Sequence, residues 1–232
     1  MTLRTEQVYD LLLDRFGHQH WWPVDHGYHR MQGSDPRFEI VIGAILTQNT
    51  AWSNVEKALE RLKEHRALTV ESIANMNLRT LKTLIQPSGF FNQKAPRLKT
   101  IASLLLKGYH GNLTSFFSRD TPTIRKELLG LDGIGPETAD SILLYAGEKP
   151  VFVIDAYTRR VSRRLPLPPQ SDSYDDLQRY FERTLQRTNP SDHLVKIYKE
   201  FHALLVELAK TYCRTTPRCD QCPLTRSCKK VL

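Results

Sequence analysis

A chain of 232 residues with 33 lysines and arginines against 25 acidic residues carries a formal charge of +8. That excess favours a polyanionic partner, nucleic acid before an anionic membrane surface. No apolar run approaches the twenty residues of a spanning helix, and with no export leader recognisable the chain is expected in the cytoplasm.

In chain order the pattern is helical nearly throughout. Val8, Leu11, Leu12 and Phe16 recur at helical spacing and predict a helix over 5–16. Residues 17–33, rich in His, Trp and Gly, read as irregular. Asp35-Pro36 is an N-cap followed by proline at the first helical position. The run it opens, through Leu46, is apolar around most of its circumference, as a central buried helix is. Residues 55–62 form an amphipathic stripe, and 70–74, 78–85, 95–109 and 121–129 read as further helices. Gly135-Pro136 starts a helix over 137–146, with Gly147 as its stop signal. Residues 150–154 make a short apolar β-like run without partner strands, hence a connector. Residues 165–169 form a loop, and 174–187 and 194–211 are the last long helices. The fold class is all-α, with about ten helices.

Two features carry chemistry. Leu131-Asp132-Gly133-Ile134-Gly135 sits between two helical runs. Gly133 and Gly135 admit positive φ and close approach, and their amides at a helix start suit a phosphate. Such a helix–hairpin–helix grips duplex backbone without reading sequence; an ordinary αα-hairpin has the same outline. About twenty residues later Val153-Ile154-Asp155 ends an apolar run at the start of a helix. Asp155 is an N-cap by position, and a buried carboxylate there also suits a reaction that builds positive charge on a sugar.

The four cysteines, Cys213, Cys219, Cys222 and Cys228, lie in the last twenty residues with spacing C-x5-C-x2-C-x5-C. In a reducing compartment they point to a metal centre instead of disulfides, and their spacing suits either [4Fe–4S] or Zn²⁺. His18, His20, His26 and His29 fit no simple ligand pattern and read as surface or hydrogen-bonding side chains.

Taken in order, Leu46-Thr47-Gln48-Asn49-Thr50, Leu131 to Gly135, Asp155 and the cysteine cluster resemble the helix–hairpin–helix, Gly/Pro, Asp superfamily of DNA glycosylases, in its endonuclease III-like group. Trp21-Trp22-Pro23, the stretch Pro87-Ser88-Gly89-Phe90-Phe91-Asn92-Gln93-Lys94-Ala95 and Gly133-Ile134-Gly135-Pro136-Glu137 bring it nearer the 3-methyladenine glycosylase III branch.

The resemblance implies two helical lobes: a six-helix barrel over 38–149, and a second lobe from 1–37 and 150–232. It implies double-stranded DNA with damaged bases as the partner, and a nucleoid-associated monomer. Asp155 becomes the catalytic carboxylate. Bifunctional members carry a Schiff-base lysine where this chain has Glu137; a carboxylate forms no Schiff base, so water is the expected nucleophile and an intact abasic site the product. Trp21, Trp22, Pro23 and Trp52 would line the base pocket, where indole faces attract electron-poor alkylated purines. Core packing is the plain alternative for the tryptophans.

Gln48 matches the residue that fills the gap left by the everted nucleotide. Gly133, Gly135 and Arg159 would meet the backbone, as would some of Arg160, Arg163 and Arg164, and the basic stretch 214–218. The cluster implied is [4Fe–4S], with zinc the runner-up, because the first gap is five residues where the family usually has six. The activity expected is hydrolysis of the N-glycosidic bond of alkylated purines. An oxidised-pyrimidine glycosylase with lyase activity and a non-catalytic lesion-binding module are the alternatives. Ala44, where adenine-mismatch enzymes carry glutamate, speaks against that group.

Overall fold

The computed structural model describes residues 3–167 and 171–228, and every regular element among them is helical. In chain order the helices are α1 (Thr5–Phe16), α2 (His26–Gln32), α3 (Pro36–Leu46), α4 (Trp52–Glu64), α5 (Val70–Asn75), α6 (Leu78–Leu84), α7 (Phe91–Tyr109), α8 (Leu113–Phe117), α9 (Thr121–Leu129), α10 (Pro136–Ser141), α11 (Ala156–Arg164), α12 (Tyr174–Thr188) and α13 (Leu194–Thr211). No helix is long and apolar enough to cross a membrane. Contacts divide the chain into two compact units, Trp22–Glu148 and a discontinuous one of Met1–Trp21 with Lys149–Leu232. Part of the expected 165–169 loop lies outside the described residues.

In Trp22–Glu148 the central element is α3. Asp35 caps it by accepting from the Arg37 amide at 2.9 Å, Pro36 occupies its first turn, and every residue from Phe38 to Leu46 is buried. Each large aliphatic chain removed from water there contributes about 2 kcal/mol, so α3 anchors the unit.

Four elements depart from the sequence reading. Helix α2 lies within the stretch read as irregular. Its seven residues have no apolar stripe, and its ends hold it: Asp25 accepts from the Tyr28 amide at 2.9 Å, and Gly33 takes the left-handed conformation. Helix α7 starts at Phe91, four residues early, behind a left-handed Phe90. Helix α8 was not foreseen; Asn112 caps it. The expected helix over 137–146 is α10 followed by a π-helical turn, Ile142–Ala146.

Residues 22–37 also belong with 38–148, not with the other lobe as expected. The cause is a buried ionic group. His29 shares hydrogen bonds with Ser34 Oγ (2.7 Å) and with Glu39 of α3 (2.9 Å), and Lys63 closes on the other Glu39 oxygen at 2.9 Å. Burial alone would raise the Glu39 carboxyl, but the bonds from His29 and Lys63 hold it below its ordinary value.

In the discontinuous unit, residues 151–154 run extended and fully buried between α10 and α11. The Phe152 backbone is satisfied by α12 instead of a partner strand. The Phe152 amide donates to Glu182 at 2.9 Å, and its carbonyl accepts from Gln178 at 2.7 Å. Phe152 stacks on Phe181 with centroids 4.6 Å apart, and Tyr198 and Phe201 pack edge-on against it. This core fixes where α11 begins.

Candidate functional site

The hairpin is α9, a turn over residues 130–135, and α10. Arg125 of α9 grips the fully buried Asp140 of α10 through two bonds, Nε to Oδ1 at 2.7 Å and Nη2 to Oδ2 at 3.1 Å. Ile134 is buried and pins the turn through its amide to the Leu131 carbonyl (3.1 Å). Gly133 has φ +76°, as expected of it. Gly135 does not: its φ is −89°, in extended backbone, and a Cβ there would meet nothing. Its use is the open approach to the amide. Among the described residues the Gly133 and Gly135 amides have no hydrogen-bond partner, which leaves both for an anion. Glu137 lies exposed in the first turn of α10.

Gln48, just past α3, reaches this turn. Its Nε2 donates to the Gly133 carbonyl at 3.1 Å and to Thr138 Oγ1 at 2.9 Å, and its Oε1 accepts from Arg97 Nη1 at 2.6 Å. A Cβ on Gly133 would collide with the Arg97 side chain, so only glycine fits beneath it. The segment carrying Gln48 is itself tied down by Lys94, which is 0% exposed. Lys94 Nζ donates to the carbonyls of Leu46 and Ser88 and to Thr50 Oγ1, each at 2.7 Å. Burial and the neighbouring Arg97 charge push its ammonium down to about 8. Phe90, on the segment Lys94 ties to Thr50, is exposed and has φ 45°. Its backbone conformation is strained for an aromatic residue.

Of the expected pocket residues in this unit, Trp22 and Trp52 meet edge-on with centroids 5.5 Å apart. Tyr145, which sequence reasoning missed, stands edge-on to Trp22 at 5.4 Å. Gly43 of α3 makes the room, since a Cβ there would lie 2.8 Å from Trp22 Cζ2. Pro23 is exposed, whereas Trp21 is half-buried and is grouped with the other unit.

Asp155 caps α11 as its position implied: Oδ1 accepts from the Thr158 amide at 2.6 Å. Its other oxygen faces His202 Nε2 of α13 at 3.6 Å, and both side chains are largely buried, 13% and 10% exposed. Burial pushes the Asp155 carboxyl up, but the His202 imidazole facing it, with the Thr158 bonds, outweighs it and holds the group below its ordinary value. The result is an enclosed carboxylate that stays ionised, the state needed to face a developing cation. No sequence signal pointed to His202.

The basic residues of α11 divide. Arg159 donates to the Asp172 carbonyl, and Arg163 pairs with the Asp172 carboxylate. Arg160 and Arg164 turn to the cysteine segment instead of an open surface. Arg160 Nε donates to the Cys213 carbonyl at 2.8 Å, and Arg164 donates to the carbonyls of Arg214 (2.6 Å) and Thr215 (3.1 Å). Among the described residues the four cysteines form no disulfide, and each is half-buried. Burial raises the Cys222 thiol, an amide bond from Leu224 opposes, and Cys213, Cys228 and Cys219 nearby raise it further, so the sulfurs share one neighbourhood. No three described His, Cys, Asp or Glu side chains are gathered tightly enough to hold a single metal ion.

The comparisons agree with this equipment. The family described as HhH-GPD superfamily base excision DNA repair protein matches residues 42–187. A protein of Methanocaldococcus jannaschii named as a DNA repair glycosylase is 44% identical over 224 residues, 96% of this chain and 94% of its own. Endonuclease III of Thermotoga maritima is 29% identical over 84% of each chain. The crystal structure of H. pylori 3-methyladenine DNA glycosylase bound to 1,N6-ethenoadenine superposes with a TM-score of 0.71 at 29% identity, covering 90% of this chain and 98% of that one. The chain belongs to the HhH-GPD superfamily of base excision DNA repair proteins, as an endonuclease III-like DNA glycosylase.

Proposed function

We propose that this glycosylase is monofunctional and releases alkylated purines, 3-methyladenine first, from duplex DNA, leaving an abasic site and acting as a monomer. The observation that carries the reading is the aromatic group of Trp22, Trp52 and Tyr145 seated over Gly43. Indole and phenol faces hold a cationic purine by its charge and need few hydrogen bonds to its edge. Pro23 would complete the slot. The likeness to the H. pylori enzyme, bound in its crystal structure to another modified adenine, supports it.

The alkylated base leaves with the glycosidic electron pair while the ionised Asp155 stabilises the oxocarbenium charge on the sugar. Water adds at the anomeric carbon and gives up its proton, for which Asp155 is the acceptor. Glu137 supports hydrolysis over imine chemistry, because a carboxylate is no nucleophile for a Schiff base. The unpaired amides of Gly133 and Gly135, with Arg159, would meet the phosphates.

Cys213, Cys219, Cys222 and Cys228 would hold a [4Fe–4S] cluster. An all-thiolate set sharing one neighbourhood suits such a cluster, with zinc the runner-up. Such a cluster supplies a rigid cross-link, since hydrolysis needs no electrons.

Excision from duplexes carrying single lesions, read before and after alkali, tests the function. Release of 3-methyladenine with strand breaks only after alkali is expected. Breaks before alkali on oxidised pyrimidines would establish the endonuclease III-type alternative. Asp155→Asn should lower the release rate at least about a hundredfold while DNA binding persists; equal inertness of wild type and variant on every lesion would leave a lesion-binding module.

A further inference from the structure

The resemblance hands Gln48 to the gap in the duplex, but its side chain has another occupation. Both of its amide hydrogens are spent on the hairpin, at Gly133 O and Thr138 Oγ1, and its carbonyl oxygen takes a charge-assisted bond from Arg97. Arg97 is a residue of α7, and its stem lies where a Cβ of Gly133 would stand. Gln48, Gly133 and Arg97 therefore interlock around one turn, the turn whose two glycine amides are bare. A phosphate site made of backbone amides works only while those amides hold one direction, and the two glycines that carry them have no side chains to hold it. The brace comes from outside the hairpin, 85 and 90 residues away in sequence for Gln48.

We propose that Arg97 and Gln48 are positioning residues that brace the phosphate-binding turn, so that the grip on DNA backbone depends on them before any base is everted. The inference rests on the DNA glycosylase reading only for its substrate. Arg97 makes no direct phosphate contact in this scheme: its work is to orient Gln48 and to wall the turn.

The test uses full-length protein with Gln48→Ala, Arg97→Lys and the double variant, each first checked for wild-type thermal unfolding. Three quantities are read: affinity for an undamaged fluorescent duplex across a salt series, hydrogen exchange of the amides over 131–137, and release of a lesion base at subsaturating and saturating DNA. Both single variants should bind undamaged duplex about tenfold more weakly, because each removes bonds the turn relies on. Arg97→Lys keeps the charge, so its salt slope should match wild type. Exchange over 131–137 should quicken in both. The double variant should be no weaker than the weaker single, since the two residues act as one unit. The loss should fall on KM more than on kcat.

Unchanged affinity for undamaged duplex, with release slowed at saturation, would overturn the proposal and return Gln48 to the gap. So would wild-type affinity in Arg97→Lys with unchanged exchange over the turn, which would make Arg97 a simple phosphate contact. If wild type released no base at all, the glycosylase reading would fail, yet the binding and exchange comparisons would still decide this one.

Discussion

At the scale of single residues, the side chains that sequence reading missed share one property: their partners are remote. His202 meets Asp155 from 47 positions away in the chain, Lys94 meets Leu46 from 48, and Arg97 meets Gln48 from 49. A single sequence displays periodicity and caps, which are local, and says nothing of which helices meet. Asp155 was legible because an N-cap is local; what keeps it ionised was not. Lys94 gives this a measurable form. Its ammonium is held at about 8, against an ordinary 10.5 in the unfolded chain. Between those values the unfolded chain binds more protons, so stability rises with pH from about 8 towards 10.5, by at most about 3 kcal/mol. Lys94→Met removes that slope and leaves three acceptors bare, at a cost of about 2–4 kcal/mol near neutral pH. Urea denaturation of both proteins at pH 7.5 and 9.5 should show the gap between them widening at the higher pH; a constant gap would mean that Lys94 titrates normally.

At the scale of elements, α3 and α13 were readable end to end, because each combines a long apolar pattern with a definite start or stop. Helix α2 was not, since capping and a buried histidine stand in for an apolar stripe. The π-helical turn after α10 was hidden as well: its residues, Ile142 to Ala146, are as apolar as any α-helical run. The turn closes with the Gly147 amide on the Ile142 carbonyl at 3.0 Å and widens the helix by one residue, which alters the direction of Tyr145 relative to a regular α-helix. Helix α3 and this turn thus shape the aromatic group together, one through a missing side chain and the other through an extra residue. Gly43→Val tests the first half. A branched side chain at a point where even a Cβ lies 2.8 Å from the indole must expel Trp22. KM for 3-methyladenine release should rise about tenfold or more, with binding to undamaged duplex retained and Trp22 fluorescence shifted towards a solvated indole. An unchanged KM would remove Trp22 from the base pocket.

At the scale of the whole molecule, composition and charge had already pointed to a polyanion, and order of motifs to the glycosylase superfamily. The division into units was less legible, because a buried ionic group at His29 leaves little trace in hydropathy. The cysteine segment shows how the discontinuous unit is closed: Arg160 and Arg164 stitch α11 to residues 213–215, and the Cys228 thiol donates to the Arg164 carbonyl at 3.2 Å. With the proposed cluster on these cysteines, Cys222→Ser should abolish the visible absorbance of an iron–sulfur centre and lower the melting temperature of this unit, by roughly 5 °C or more. Full retention of colour would exclude Cys222 as a ligand.

The same unit has a history imposed by the ribosome. Helix α1 is made well ahead of its partners: Tyr9 packs on Phe201, Thr5 bonds Tyr180 at 2.7 Å, and Arg15 bonds Tyr212 at 2.5 Å. At about 5–20 residues per second, the end of α13 emerges roughly 10–40 s after α1. For that interval Val8 and Leu12, fully buried in the finished protein, have nothing to cover them. The segment between can fold as it leaves the tunnel; this unit must wait for α13, and until then its first helix needs shelter.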